Sequence, residues 1–161
     1  MASPNRAGSQ KYLPKPIATL IILQGRTQLL REECEEAATA YAVEQEEENA
    51  SLFSPTGFRL WTFLCLWLAY LYVLVEGYRN AYKHGFPLAD PKVDSLLRSE
   101  YTEKLRRFRN KVFHPEAFNH EAIVVVLEDH AGVREWAGKV TDEVKRYLLA
   151  YAQTLSGPGA L

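Results

Sequence analysis

The sequence predicts an all-α fold, a compact bundle of about four to six helices in a single domain, and three observations predict it. Apolar residues recur at three- and four-residue steps in every long segment, the period of one helix face. Helix start and stop signals punctuate the chain at Ser54-Pro55, Asp90-Pro91 and Ser156-Gly157-Pro158-Gly159. The β-branched run Ile123-Val124-Val125-Val126 reads as readily as strand or helix, but no second strand is there to pair with it, so a helix capped by Asn119 is expected.

Length and composition set the frame. A chain of 161 residues suits one domain with a sizeable core, here residues 16–155 between a disordered arm at 1–15 and a flexible tail at 156–161. Hydrophobic residues make up 47% and charged residues 24%, a globular balance. The net charge of −1 supplies no global field towards nucleic acid or anionic lipid, so any attraction to phosphate must be local. The arm has no apolar leader and Cys34 and Cys65 lack the spacing of a zinc site or disulfide framework; a cytoplasmic protein with reduced, packing cysteines is expected.

The first helix is expected to open at Pro16 and run to about Glu48, with Leu30, Cys34, Ala37, Ala38 and Tyr41 at helical spacing. Its eight glutamates between Glu32 and Glu48 form a solvated face. The second starts at Ser54-Pro55 and reaches about Lys83. Residues 60–75 within it carry no charge, yet sixteen residues fall short of a bilayer span, which points to a core helix and no membrane partner. Because it is apolar nearly all round, the bundle and a second copy of the chain are both expected to cover it.

His84-Gly85-Phe86-Pro87 ends that helix, and Asp90-Pro91 starts a short third one through about Leu97. Ser99 is the expected cap of the fourth, whose Leu105, Phe108, Val112 and Phe113 turn inward. The last helix, 133–155, presents Trp136, Val140, Val144, Tyr147, Leu148, Tyr151 and Leu155 on one face.

The chemistry concentrates on the fourth helix. Arg98, Lys104, Arg106, Arg107, Arg109 and Lys111 stand against Glu100 and Glu103, a local excess of about four positive charges. Arg109 offers a planar fork for phosphate oxygens, and His114 is of the one residue type whose unperturbed pKa lies near physiological pH. On a continuous helix five residues separate them by roughly 140°. Pro115 disfavours helical geometry at His114, so the helix should stop near Phe113 and free the ring to turn towards the arginine. No Ser or Cys has an evident base and no metal-ligand cluster is apparent, so acid/base chemistry on a phosphodiester without metal or cofactor remains. An arginine surface charge beside a helix-terminal histidine is the bland reading of the same spacing.

Glu76 follows the uncharged run and lies either at the exposed edge of its helix or paired inside, with Arg109 or Arg79 as natural partners that it would orient. His84, His120 and His130 read as loop and cap residues. Tyr70, Tyr78 and Tyr82 read as core or interface residues rather than base-stacking platforms.

The stretch Arg109-Asn110-Lys111-Val112-Phe113-His114-Pro115, with Leu105-Arg106-Arg107-Phe108 before it and 71–78 on the earlier helix, resembles the R-x4–6-H motif of HEPN domains over roughly residues 55–155. The polar Asn110 after the arginine is also similar to that family's pattern. The resemblance implies a helical bundle that dimerises to bring two motifs to one cleft, and metal-independent RNA cleavage leaving a cyclic phosphate, often in toxins or phage defence. On this chain it implies His114 as acid/base group, Arg109 on the scissile phosphate and Asn110 as a positioning residue. Arg106, Arg107 and Lys111 would then bind substrate, with Glu76 behind Arg109. Glu116 stands where HEPN toxins silenced by nucleotidylation carry tyrosine, so that regulation is not expected, although an antitoxin or regulatory protein partner is. The alternative is a non-catalytic HEPN-like adaptor for RNA, a nucleotide or a protein; a structural subunit of a larger complex is a third reading.

Overall fold

The computed structural model describes residues 14–46, 51, 53–83, 90–113 and 129–156, except for the side chains of 111–113, 130 and 156. Its regular structure is helical throughout: α1 (Lys15–Glu46), α2 (Pro55–Lys83), α3 (Pro91–Leu97), α4 (Glu100–Phe113) and α5 (His130–Ser156). The helix expected at Asn119 to Leu127 falls outside the described residues.

Local chemistry sets the helix starts. Ser54 Oγ accepts the Gly57 N–H at 3.1 Å and donates to Glu44 at 2.9 Å, so one hydroxyl caps α2 and ties it to the end of α1. Asp90 Oδ1 accepts the N–H groups of Lys92 and Val93 at 2.9 and 3.2 Å, with Pro91 next in line. At α4 the expected serine cap is absent: Ser99 Oγ is buried with no hydrogen bond. The Ser99 carbonyl accepts the Thr102 N–H at 3.2 Å, and Thr102 Oγ1 donates back to Leu97 O at 2.9 Å. The threonine hydroxyl thus bridges the joint to the Leu97 carbonyl at the end of α3, which Arg79 of α2 also binds.

Helix α2 is the axis of the core, packed against α1, α4 and α5. Its Trp67, Leu68, Leu71, Leu74, Val75 and Tyr78 join one buried cluster. Ile17 and Leu20 of α1, Val93 of α3, Leu105 and Phe108 of α4, and Val140 and Val144 of α5 complete that cluster. Gly77 lets α1 approach closely, since a Cβ there would stand 3.0 Å from Leu20 Cδ2. Two donors fix the short α3: Arg79 Nη2 binds Leu97 O at 2.9 Å from α2, and Trp136 Nε1 binds Leu96 O at 3.0 Å from α5.

By length and composition α2 meets the test for a membrane span, and half of its most apolar window is buried against the other helices. The inner side of α2 is core. Its outer side exposes Phe58 and Val73.

Candidate functional site

Leu105 and Phe108 are the anchors of α4, about 2% and 1% exposed, and they turn the intervening charged positions outward. The half-buried Arg109 and Asn110 come next along the helix. Arg109 Nη1 donates to Asn110 Oδ1 at 3.2 Å, and the Arg109 guanidinium lies 5.7 Å from the centre of the Tyr72 ring on α2. That distance suits a cation–π contact, strengthened where the ring is withdrawn from water. Tyr72 is buried, and its hydroxyl donates to Glu76 Oε1 at 2.8 Å. Burial raises the Tyr72 pKa first and the Glu76 carboxylate raises it further, so the phenol stays protonated as a donor.

The sequence-predicted residues therefore divide into three groups. Arg109, Asn110 and Glu76 come together through Tyr72. Glu76 is exposed, at the rim of α2, and its carboxylate is held by Tyr72; Arg79, the other candidate partner, serves the Leu97 carbonyl instead. Arg106 and Arg107 lie on the outer side of α4, where Glu103 takes Arg106 Nε and Nη2 at 2.8 and 2.7 Å and Arg107 Nε at 3.1 Å. Hydrogen bonds from Arg106 and then Arg107 hold the Glu103 carboxyl down to about 2. Lys104 is drawn to Glu100 at 3.0 Å and Asp129 at 4.0 Å. The local basic excess is thus partly neutralised, by exposed pairs of the kind that exchange readily for another anion.

Lys111 lies in the last turn of α4, with its side chain outside the described residues, and His114 lies outside them altogether. The described part of α4 reaches Phe113, and the stop expected before Pro115 lies outside the described residues. Sequence reasoning missed Tyr72 and Glu103. Glu103 carried a signal, standing three and four residues before Arg106 and Arg107. Tyr72 carried half of one, standing four residues before Glu76, but its contact with Arg109 joins two helices and leaves no mark in sequence spacing.

Away from α4, a cavity of about 470 Å³ opens between α1 and α5. Its charges are largely matched pairwise, Arg31 with Glu35 and Asp142 at 2.8 and 2.9 Å and Lys139 with Glu135 at 2.5 Å. Both cysteines are free thiols, and burial pushes Cys34 up to about 11 and Cys65 up to about 12. Neither is a nucleophile at neutral pH. In comparisons with known proteins, no family model, no curated protein and no solved structure matches the chain.

Proposed function

We propose that the chain is a metal-independent endoribonuclease of HEPN type, a homodimer whose two Arg109–His114 motifs face one RNA cleft. The observation that carries this reading is Arg109, half-buried against Tyr72 and Asn110, on the helix that leads in sequence to His114. A guanidinium fixed by a ring on one side and an amide oxygen on the other loses little freedom when it meets a phosphate. His114 takes the proton of the RNA 2′-hydroxyl, the 2′-oxygen attacks phosphorus as the P–O5′ bond breaks, and the imidazolium returns the proton to the leaving 5′-oxygen, giving a cyclic phosphate end. Arg109 neutralises the phosphorane. Acid/base help contributes about 10²–10⁴-fold and a fixed cationic donor about 10²–10³-fold. Asn110 positions the arginine, and Arg106, Arg107 and Lys111 hold the flanking phosphates.

Such an enzyme acts in the cytoplasm as a toxin or phage-defence effector, and needs a neutralising protein partner to be tolerated. The test compares wild type with His114→Ala on total RNA. The variant should stay folded and dimeric and lose cleavage, and EDTA should leave the wild type unaffected. Cleavage by the variant, or a need for added metal, removes the proposal.

A second reading, a non-catalytic HEPN-like adaptor for RNA, a nucleotide or a protein, is favoured by the Glu103 clamp on Arg106 and Arg107. Salt-sensitive RNA binding without cleavage would support it.

A further inference from the structure

The cavity of about 470 Å³ between α1 and α5 shares no residue with the Arg109 group, and its size is that of a small-molecule pocket. Arg134, Gly138 and Asp142 recur at four-residue steps, which puts them along one face of α5, and Arg31 and Glu35 meet them from α1. Gly138 helps to keep the space open. A Cβ there would stand 3.4 Å from Arg31 Nη2, so a longer side chain would compete with the arginine for room. Trp67 of α2 is the deeply buried part of the lining, and its Nε1 has no hydrogen-bond acceptor.

Three cations and three carboxylates line the cavity, so its formal charge sums to zero, yet the pairing is uneven. Arg31 takes two of the carboxylates, giving Nε to Glu35 and Nη1 to Asp142. Lys139 takes the third, Glu135. The half-buried Arg134 has neither a carboxylate nor a hydrogen-bond acceptor among the described residues. Its charge is felt across the cavity: burial raises the pKa of the Cys34 thiol on α1, and Arg134 pulls it back down. A half-buried guanidinium without an acceptor is costly, and an anion entering from solvent removes that cost.

We infer that this cavity binds a small monocarboxylic acid, its carboxylate on Arg134 and its uncharged body among Trp67, Ala131 and Gly138. A planar carboxylate matches the guanidinium fork. The volume is larger than a carboxylate alone fills, which leaves room for the body. Charge balance then selects one negative charge and no more. Arg134 matches a single anion, whereas a phosphomonoester carries about −1.5 to −2 at neutral pH. Its second charge would meet Glu35, Glu135 and Asp142, whose cations are already taken. The same repulsion disfavours a polyanion such as RNA, so the site stands whether or not the chain cuts RNA.

The indole N–H signal of Trp67, followed by NMR in isotope-labelled protein, reads binding at the cavity. The probes are benzoate, benzyl alcohol as its uncharged analogue and phenyl phosphate as its doubly charged one. Benzoate should shift the signal saturably at millimolar concentration, and the other two should bind at least about tenfold more weakly. Arg134→Gln should weaken benzoate about 10- to 100-fold. Lys145→Gln, which removes an exposed cation further along the same helix, should leave it unchanged. Asp142→Asn should act in the opposite sense, since it removes a competing carboxylate and frees Arg31 Nη1. Benzoate should then bind several-fold more tightly, and phenyl phosphate should gain more. Should Arg134→Gln fail to fold, Asp142→Asn alone decides the sign. No saturable shift, equal binding of benzyl alcohol, a wild type that prefers phenyl phosphate, a folded Arg134→Gln that binds as the wild type does, or an Asp142→Asn that binds benzoate no better would each overturn the inference.

Discussion

The Arg109 guanidinium sits 5.7 Å from the centre of the Tyr72 ring, and that ring's hydroxyl donates to Glu76 at 2.8 Å. One tyrosine thus presents its face to a cation on α4 and its edge to an anion on its own helix. The two functions separate by substitution. Tyr72→Phe keeps the face and removes the donor, at about 0.5–1.5 kcal/mol for one net hydrogen bond. Tyr72→Ala also removes the ring and its packing, at about 3–5 kcal/mol. Thermal unfolding of the two variants should show this separation, and RNA cleavage should survive in Tyr72→Phe far better than in Tyr72→Ala.

Arg109→Lys tests the planar fork against charge alone. Lysine keeps the positive charge but stacks poorly on Tyr72 and cannot reproduce two parallel N–H donors. Stability should change little at this half-buried position, while cleavage falls by about 10²-fold, the scale of losing one fixed oxyanion donor. Single-turnover rates with saturating RNA separate that loss from weaker binding.

The Glu103 clamp predicts a pH dependence. Its carboxyl is held at about 2 in the folded protein, below its ordinary value of 4.5, by Arg106 and then Arg107. A depressed carboxyl contributes stability that is complete above the ordinary value and is lost as pH falls towards 2. The melting temperature of wild type should therefore exceed that of Glu103→Gln at pH 6, with the gap closing between about pH 4.5 and 2. The same substitution releases both arginines at neutral pH. RNA should bind Glu103→Gln more tightly and with a steeper salt dependence, by up to about two phosphate contacts in the slope.

Much of this arrangement is legible along the chain because it is local. Ser54-Pro55 and Asp90-Pro91 start α2 and α3, because caps and prolines act within a turn of themselves. The inward residues of α5 were equally readable, since a period of 3.6 needs no tertiary knowledge. The Ser99 hydroxyl does not cap α4, and its burial without a partner is a tertiary outcome that spacing does not encode. The Arg109–Tyr72 contact was hidden for the same reason: 37 residues separate the partners, and only the packing of α4 on α2 brings them together.

Asp90 is where local capping and long-range pairing meet on one side chain. Oδ1 caps α3 through Lys92 and Val93, and Oδ2 accepts Arg146 Nη2 of α5 at 2.7 Å. Burial pushes this carboxyl up, but the Arg146 hydrogen bond and the two backbone donors outweigh it and leave it below its ordinary value. Asp90→Asn retains an oxygen for the cap and loses the ion pair; Asp90→Ala loses both. The cap is worth about 0.5–2 kcal/mol, and the pair, with Arg146 half exposed, is the weaker of the two. Urea midpoints should therefore rank wild type, then Asp90→Asn, then Asp90→Ala, with the larger step at the second substitution. Repeating the series in Arg146→Ala should collapse the first step and preserve the second, because the Lys92 and Val93 N–H groups remain to be capped whether or not α5 supplies a cation.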